Sequence, residues 1–540
     1  MNRASGILLH PTSLPNDEGI GTIGKEAFAF IDWLKKNSVR VWQMLPIGPT
    51  GYGDSPYASF SAFAGNPYLI NLSLLQEQGF LPFETLREYK ENVLKNCEKA
   101  RVNFGFISYH KTEILKKAAA NIMQKIKEDA ALKAEFEAFC SEECFWLEDF
   151  AVFMALKDFY DKKSVQENLP FGIWNSSWEK DIALHKEDAI QAFVRNNFDE
   201  IESYKIIQFL FYRQWANLKQ YAQGQNINLI GDIPIFAALD SSDVWANQKT
   251  FMLDENGRPT AVAGVPPDFF STTGQLWGNP LYDWDEMKTD GYLWWKRRIR
   301  QMLKLFDIIR IDHFRAFEAF WAIPPEAATA VSGKWIKGPC HHFFEEIQKD
   351  LFNLKNEYRA ALPIIAEDLG VITDDVIRLR DDFHFPGMKI LQFAFDTNEW
   401  RNGKLLNQYL PHNEPKNSIV YTGTHDNDTL IGWIENNSEE QLALVYTYIK
   451  GETPAPEVFA KLKTEAGKKE LCTEMVRLCF AAPADLAVIQ MQDVLFAGQN
   501  AKMNSPNTLG TNWQWRMENF PPSTEISEKL LLWNMLYGRA

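Results

Sequence analysis

The sequence has no segment suited to a membrane. No uncharged run approaches the roughly 18 apolar residues that a membrane-spanning helix requires. The N-terminal residues lack the apolar stretch of a signal peptide. We therefore predict a cytoplasmic protein with no membrane partner.

Cysteine is scarce, with six residues in a chain of 540. Cys140 and Cys144 lie one helical turn apart, but no neighbouring pair of His or Cys residues completes a zinc site. We predict buried free thiols, as expected in a reducing cytoplasm, and no structural metal.

Basic residues are outnumbered, since 56 Lys and Arg stand against 71 Asp and Glu, for a net charge of -15. An acidic surface repels polyanions, so we predict no nucleic-acid partner. Phosphate-binding loops are also missing, because the first predicted strand has no Gly-x-Gly-x-x-Gly turn and no P-loop occurs. This absence argues against a doubly wound, nucleotide-binding sheet.

Aromatic residues, in contrast, make up 14% of the chain, with 38 Phe and 18 Trp. Such rings fill protein cores, and they also form platforms for the apolar faces of sugars. Trp174 and Trp178 lie in a loop between predicted helices, where either role is open.

Short apolar segments rich in β-branched residues predict eight buried strands. They are residues 6–10, 39–46, 227–236, 308–314, 363–370, 388–396, 418–426 and 486–492. Helical periodicity lies between strands at 25–37 and 291–304. Eight strands with intervening helices are typical of a (β/α)8 TIM barrel, an α/β fold. We predict this barrel, with an open doubly wound sheet as the alternative.

Two intervals are too long to be simple crossovers. Residues 83–223 are mostly amphipathic helix, so we predict a mainly helical inserted subdomain over residues 48–226, after strand two. Residues 237–290 are rich in Gly, Pro, Asp and Trp, so we predict an inserted loop region after strand three. The interrupted barrel then spans residues 1–540.

Acidic side chains follow the predicted strands, at the ends where a (β/α)8 barrel holds its active site. The acids are Asp232, Asp312, Glu367, Asp396 and Asp426, and His313 and His425 stand next to two of them. A single acid there could be a helix N-cap. Five acids converging on one mouth would repel one another unless the site used them, so we predict a catalytic cluster.

Two chemistries fit such a cluster. Asp, Glu and His bind divalent ions, whereas a retaining glycosidase needs a carboxylate nucleophile and a protonated acid about 5 Å apart. Side chains alternate along a strand, so Arg310 shares a face with Asp312 and favours its ionised form. The apolar residues 363–366 lead into Glu367 and favour its protonated form. One ionised and one protonated acid favour glycosyl transfer over metal binding.

Longer motifs identify a family. They are HPTSLP at 10–15, GIG at 19–21, GYGDSPY at 51–57, GDIPI at 231–235, GVPPDFF at 264–270, GQLWGNP at 274–280, RIDHFR at 310–315, AEDLG at 366–370 and TGTHD at 422–426. By these motifs the chain resembles the amylomaltases, the 4-α-glucanotransferases or disproportionating enzymes of glycoside hydrolase family 77. The match runs nearly from end to end.

The resemblance implies a covalent mechanism with three acids. Asp312 would be the nucleophile that forms a β-glucosyl-enzyme intermediate. Glu367 would be the general acid, and then the base that activates the acceptor. Asp426 would hold the reacting glucose through its 2- and 3-hydroxyls, and Arg310 and His425 would orient that ring.

The resemblance also implies substrate contacts around the barrel mouth. These positions are Tyr57, Ser55, Asp268, Trp277, His313, Asp396 and Asn504. The loop over residues 268–277 resembles the family's flap over the bound glucan. A flap that excludes water would help a sugar acceptor outcompete hydrolysis.

One segment departs from the family pattern. Over residues 502–513, Lys502 stands where the family usually has Arg, and Asn507 and Thr511 stand where it has Gly. The change from Arg to Lys removes the planar guanidinium with its paired N–H donors, and the loss of glycine restricts the backbone. We therefore expect a locally different loop.

We predict a retaining 4-α-glucanotransferase that acts on malto-oligosaccharides and starch- or glycogen-type glucans. It would cut an α-1,4 bond and pass the glucanosyl segment to the 4-hydroxyl of another glucan or of glucose. The alternatives are an α-1,4-glucan hydrolase with the same carboxylates and a catalytically silent glucan-binding protein. We expect no cofactor or metal, and a monomer or small homo-oligomer.

Overall fold

A computed structural model describes residues 3–267, 271–353, 361–398, 407–506 and 508–540 of the chain. Strands in these ranges form two sheets. They are β1 (Ala4–Leu8), β2 (Val41–Gln43), β3 (Asn228–Ile233), β4 (Val262–Val265), β5 (Gln275–Pro280), β6 (Ile308–Ile311), β7 (Ala319–Ile323), β8 (Lys334–Lys337), β9 (Ile364–Ala366), β10 (Gly387–Ile390), β11 (Ser418–Tyr421) and β12 (Leu486–Gln490).

Helices fill most of the remaining chain in the same ranges. They are α1 (Lys25–Lys36), α2 (Leu72–Glu77), α3 (Phe83–Asn96), α4 (Phe104–Lys125), α5 (Ala130–Glu142), α6 (Leu147–Glu167), α7 (Trp174–Ser177), α8 (Lys180–Ala183), α9 (Glu187–Asn196), α10 (Phe198–Gly224), α11 (Ser242–Ala246), α12 (Trp284–Thr289), α13 (Leu293–Leu305), α14 (Cys340–Phe352), α15 (Asp374–Asp382), α16 (Leu430–Asn436), α17 (Glu439–Lys450), α18 (Pro456–Leu462), α19 (Glu465–Ala481), α20 (Met491–Val494) and α21 (Thr524–Leu536). No helix in the described part of the chain is long and apolar enough to cross a membrane.

Eight parallel strands form the barrel, which confirms the predicted fold class. Their order in the sheet is β10, β11, β12, β1, β2, β3, β6 and β9. The backbone N–H of Ala366 donates a 3.0 Å hydrogen bond to the carbonyl of Pro386, which links β9 to the residue before β10. This bond brings the two ends of the sheet together, and each predicted strand segment overlaps one barrel strand.

Several predicted strands extend too far at their carboxyl ends. β6 stops at Ile311 and β9 at Ala366, in each case one residue before an acid. β10 stops at Ile390 and is followed by a 3-10 turn, Leu391–Ala394. Asp312 and Glu367 still donate one backbone hydrogen bond each to the neighbouring strand, at 2.9 Å and 3.0 Å, before the chain turns away. These two acids therefore lie just past the strand ends at the mouth, whereas Asp232 lies within β3.

A second, antiparallel sheet has the order β5, β4, β7, β8. The sequence analysis expects irregular backbone at 237–290, and β4 and β5 correct that expectation. Gly278 lies within β5 and Pro280 ends it, and both residue types are depleted in strands. The strand nevertheless pairs with β4 and carries Trp277.

The helices α2 to α10 lie between β2 and β3. On α10, the Gln208 side chain accepts a 2.8 Å hydrogen bond from the Gly65 N–H and donates a 2.9 Å bond to the Gly65 carbonyl. This two-sided contact holds the loop that follows β2, which carries Tyr57. The subdomain boundaries over 48–226 and 237–290 stay predictions.

Trp174 and Trp178 are both buried. Trp174 Nε1 donates a 2.7 Å hydrogen bond to the Leu239 carbonyl, so this ring packs inside the protein. Of the two roles left open by the sequence, the core role is confirmed.

All six cysteines are free thiols, as predicted. The expected burial is wrong for most of them, because only Cys472 and Cys479 are buried and Cys144 is exposed.

Candidate active site

Two neighbouring barrel strands place a buried ion pair beneath the mouth. The parallel register sets Asp232 of β3 opposite Arg310 of β6. Arg310 Nη1 donates to both Asp232 carboxylate oxygens at 2.7 Å, and its Nη2 lies 2.9 Å from Asp312 Oδ1. Burial lowers the pKa of Arg310, but the two acids outweigh it and hold the pKa well above its ordinary value. One permanently charged guanidinium therefore holds two carboxylates.

Asp312 is the first residue after β6. Its backbone N–H donates a 2.9 Å hydrogen bond to the Ile233 carbonyl, which fixes its position above β3. Its side chain is 29% exposed, whereas Arg310 beneath it is buried. The carboxylate is thus held by a cation from below and open to a substrate from above.

Glu367 is the first residue after β9 and is buried. Its Oε2 accepts a 2.7 Å hydrogen bond from the His313 N–H, and its Oε1 accepts a 2.7 Å bond from the Leu369 N–H. Burial, with the nearby charge of Asp312, raises the pKa of Glu367 to about 8, against the opposing effect of Arg310. Glu367 is therefore mostly protonated at neutral pH.

His313 links the two acids through its backbone. It has a left-handed conformation, with φ of 50°, and this turn aims its N–H at Glu367. Its ring lies edge-on to Trp277, with the centroids 4.9 Å apart. Burial lowers the pKa of His313 to about 4, so its imidazole is neutral at the pH where Glu367 is protonated.

Tyr57 connects the loop after β2 to the ion pair. Its hydroxyl donates a 2.7 Å hydrogen bond to Asp232 Oδ2. Its ring stacks on His425, with centroids 4.9 Å apart and planes at 20°, and Trp513 lies 5.8 Å from both rings. Burial raises the pKa of Tyr57 well above its ordinary value, so the hydroxyl keeps its proton and stays a donor.

Asp426 lies in the segment that follows β11, and its side chain is 45% exposed. Asn504 Nδ2 donates a 2.6 Å hydrogen bond to Asp426 Oδ1, and His425 Nε2 lies 3.4 Å from the same oxygen. The Asn504 N–H donates to the His425 carbonyl at 3.1 Å. Asn504 therefore positions both residues, and Asp426 lines a cavity at the mouth.

Tyr57, Asp312, His425, Asp426 and Asn504 line a cavity of about 540 Å³. Its walls mix apolar side chains with a few hydrogen-bonding groups, as ligand sites do. The lining residues are Gly53, Ser55, Tyr57, Ala58, Pro234, Ile235, Phe236, Gln275, Leu276, Trp277, Asn279, Asp312, His425, Asp426, Asn504, Pro506, Thr508, Leu509, Asn512 and Trp513.

The arrangement supplies the two groups that retaining glycosyl transfer needs. Asp312 is an accessible carboxylate on a cation, and Glu367 is a buried carboxylic acid with a raised pKa. In retaining enzymes such a pair acts as nucleophile and as general acid. Over the described ranges, no three His, Cys, Asp or Glu side chains are arranged to hold a metal ion.

Most of the residues predicted from the sequence meet at this mouth. Contacts among them join Asp312, Glu367, Asp426, Arg310, His313, His425, Tyr57, Asn504 and Trp277, and Ser55 lines the cavity wall. Asp396 is exposed and does not line this cavity, and its carboxylate accepts a 2.8 Å hydrogen bond from the Asn398 N–H. Asp268 lies outside the described residues. The roles of these residues toward substrate stay predictions.

Sequence reasoning missed some residues of the site. Asp232 was predicted as one of the five clustered acids, but its position between Arg310 and Tyr57 was not foreseen. Phe236, Asn512 and Trp513 line the cavity without having been singled out. The signal for Trp513 was present in the departing segment at 502–513, whereas nothing in the sequence marks Phe236.

Comparison with known proteins identifies relatives over the whole chain. The family profile described as 4-alpha-glucanotransferase matches residues 9–522. A 4-alpha-glucanotransferase of Thermus thermophilus is 44% identical over 519 residues, which cover 95% of each chain. A chloroplastic/amyloplastic 4-alpha-glucanotransferase of Solanum tuberosum is 39% identical over 530 residues, covering 97% of this chain and 83% of the relative.

Solved structures agree with this result. An amylomaltase from Streptococcus agalactiae in complex with acarbose is 36% identical, with a TM-score of 0.88 and full coverage of both chains. An amylomaltase from Corynebacterium glutamicum is 17% identical, with a TM-score of 0.73 over 98% of this chain and 75% of its own, and supports the fold alone. On the profile match, the sequence identities and the shared fold, this chain belongs to the 4-alpha-glucanotransferase family, glycoside hydrolase family 77.

Proposed function

We propose that this protein is a retaining 4-α-glucanotransferase acting on α-1,4-glucans and malto-oligosaccharides. The observation that carries the proposal is the pair of carboxyl groups at the barrel mouth, Asp312 in an ion pair with Arg310 and Glu367 with a pKa raised by burial. Family membership supports transfer to a sugar rather than hydrolysis, because the relatives are named as transferases.

In the first step Asp312 attacks the anomeric carbon of the donor glucose, and Glu367 gives its proton to the departing glycosidic oxygen. The C1–O bond breaks, a bond from C1 to the Asp312 carboxylate forms, and the reducing-end fragment leaves as a sugar. Arg310 engages Asp312 Oδ1, so we assign the attack to Oδ2.

In the second step Glu367, now an anion, takes the proton of the acceptor's 4-hydroxyl. The acceptor oxygen attacks C1 and releases Asp312. Esterification removes the charge of Asp312, which is one of the causes of the raised pKa of Glu367. The pKa of Glu367 therefore falls in the intermediate, which suits its change from acid to base.

Asp426 would bind the reacting ring through two adjacent hydroxyls. Its carboxylate is exposed to the cavity and is held from behind by Asn504 and His425. Charge-assisted hydrogen bonds to sugar hydroxyls strengthen as positive charge develops on the ring, so this residue would stabilise the transition state.

Apolar groups around the site favour transfer over hydrolysis. Trp277 on β5 and Phe236 after β3 line the cavity wall near Asp312. A bound glucan that covers these groups would exclude water from the intermediate until an acceptor sugar arrives. Gln275, Leu276 and Trp277, at the end of the proposed flap, line the same cavity.

Product analysis from pure maltotriose, without added metal or phosphate, tests the proposal. A ladder of longer malto-oligosaccharides together with glucose is expected. Only shorter sugars, with reducing ends rising in step, would identify a hydrolase. Asp312→Asn is the control, because it keeps the shape of the side chain and should abolish turnover without unfolding the protein.

We also propose a cytoplasmic location and a monomer or small homo-oligomer. Six free cysteines, one of them exposed, fit a reducing compartment. Light scattering coupled to size-exclusion chromatography measures the oligomeric state directly.

A further inference from the structure

The segment of residues 10–13, which follows β1, borders a small cavity that it shares with His425. The cavity has a volume of about 10 Å³ and is lined by His10, Ser13, His425, Gln490 and Gln492, among other residues. This volume is the space of a single water molecule, and each of these five residues has a side chain that can form hydrogen bonds. The HPTSLP motif at 10–15 thus reaches the site, although none of its residues takes part in the reaction steps.

His10 carries a hydrogen-bonding atom that the protein leaves unused. The residue is 6% exposed, and its Nδ1 is buried without a hydrogen-bond partner in the described part of the chain. Burial, and then the proximity of His425, lower the pKa of His10 to about 3, so the imidazole is neutral at pH 7. A buried polar atom without a partner destabilises a fold, and buried waters commonly satisfy such atoms.

Ser13 offers a second partner for a water in the small cavity. Its buried Oγ donates a 2.8 Å hydrogen bond to the Trp515 carbonyl, which leaves the lone pairs of the hydroxyl oxygen free to accept. Its own carbonyl accepts a 2.9 Å bond from the Met517 N–H. These two bonds tie the segment of residues 10–13 to the chain at 515–517, so His10 and Ser13 have a fixed position beside the cavity.

His425 is held only weakly by its contacts at the barrel mouth. Its Nδ1 lies 3.4 Å from the Tyr57 hydroxyl, and its Nε2 lies 3.4 Å from Asp426 Oδ1. Both distances are longer than the range of about 2.7–3.2 Å that is usual for a hydrogen bond from nitrogen to oxygen. Tyr57 stacks on one face of the ring. Groups around the small cavity are therefore well placed to supply further support.

We propose that His10 is a positioning residue, which holds His425 in place through one water molecule bound in the small cavity. This proposal rests on the proposed function, in which His425 helps to orient the reacting glucose. The water bonds to His10 Nδ1 and to Ser13 Oγ and packs against His425, so the His425 ring keeps its place on Tyr57 and beside Asp426. His10 does not line the cavity at the barrel mouth, so it acts through His425 and not on the substrate.

Two variants of equal shape, His10→Asn and His10→Leu, test the proposal. Asparagine keeps a polar atom close to the place of Nδ1, whereas leucine has a similar shape and no hydrogen-bonding group. Both variants lose the same part of the ring, so their comparison cancels the effect of the lost volume. We expect kcat/KM for maltotriose to be roughly tenfold lower in His10→Leu than in His10→Asn, as for the loss of one hydrogen bond to a buried partner. The change should appear in kcat and not in KM, because the His425 ring is aligned for the transition state.

The same two variants in a His425→Ala background show whether the effect passes through His425. We expect the tenfold difference to disappear there and to persist in a Trp277→Ala background, because Trp277 lines the cavity at the barrel mouth but not the small cavity. A difference that persists in His425→Ala, or equal activities of the two variants with His425 intact, would overturn the proposal. A wild-type protein that transfers nothing from maltotriose would instead contradict the proposed function.

A high-resolution crystal structure of the wild-type protein gives a readout that does not depend on the folding of any variant. We expect electron density for one water within hydrogen-bonding distance of the His10 ring and of Ser13 Oγ. A small cavity without an ordered water would overturn the proposal, whatever the activities of the variants.

Discussion

The raised pKa of Glu367 predicts the alkaline limit of activity. Donor cleavage requires the protonated acid, and burial together with Asp312 raises the pKa to about 8. The activity is therefore present below the folded-state pKa and is lost as the pH rises through it. With a pKa of about 8, roughly nine-tenths of the enzyme holds the proton at pH 7 and about one-tenth at pH 9. At the ordinary value of 4.5, only about one molecule in 300 would hold it at pH 7.

The assay is kcat/KM for maltotriose between pH 5.5 and 9.5, which reports the free enzyme. We expect a descending limb centred near pH 8 and a loss of about tenfold for each further pH unit. A limb near pH 5, or a flat profile to pH 9.5, would refute the assignment of Glu367 as the acid.

An activated donor separates this effect from general loss of structure at high pH. Fluoride leaves maltosyl fluoride without protonation, so the burst of fluoride release should be flat through pH 8. Glu367→Gln should keep this burst and lose about 100-fold to 10,000-fold in kcat/KM for maltotriose. Loss of the burst in that variant would mean that Glu367 has another role.

Three further predictions follow from single contacts. Asn504→Ala removes the 2.6 Å hydrogen bond to Asp426 and is expected to lower kcat/KM by roughly tenfold to a hundredfold, measured with maltotriose. Lys111→Met leaves the buried carboxylate of Glu18 without the ammonium 3.0 Å away, so the free energy of unfolding should fall by about 3–5 kcal/mol in urea titration. Burial raises the pKa of Glu414 to about 8, so the folded protein keeps a proton that the unfolded chain has already released, and the wild type loses stability as the pH rises from about 4.5 to 8. The Glu414→Gln variant should therefore melt at a higher temperature than the wild type at pH 8.5, and at a similar temperature at pH 5.

Each of these variants has a matched control at an exposed position. Asn500→Ala is the control for Asn504→Ala and should keep full activity. Lys117→Met, on helix α4 with Lys111, should keep full stability. Glu452→Gln is the control for Glu414→Gln and should leave the pH dependence of the melting temperature unchanged. Equal effects of a variant and its control would contradict the contact on which that prediction rests.

The barrel could be predicted because its signal is local. Each barrel strand is a short apolar run, since both faces of a parallel sheet are covered, and the acids follow immediately in the sequence. Asp312 and Glu367 were found this way, and long motifs then identified the family. Strand ends were less predictable, because residues such as His313 leave the ladder through a left-handed turn that composition does not mark.

The antiparallel sheet of β4, β5, β7 and β8 was also not predicted, because the composition of its strands does not mark them as strands. Its strand β5 holds glycine and ends in proline, and it is stable because β4 lies beside it rather than because of its own residues. Asp396 also follows a strand, and its carboxylate accepts a hydrogen bond from the Asn398 N–H; its role toward substrate stays a prediction.

The sequence by itself determined the order of apolar and acidic segments, and therefore the fold class, the family and the acids proposed to be catalytic. Only the tertiary structure decided their partners and the extent to which the pKa of Glu367 is raised. Arg310 pairs with Asp232 across two strands, Glu367 is buried by residues from other loops, and His10 near the N-terminus borders the same small cavity as His425. A pKa depends on burial and on every charge nearby, and those neighbours are brought together by folding and not by their order in the chain.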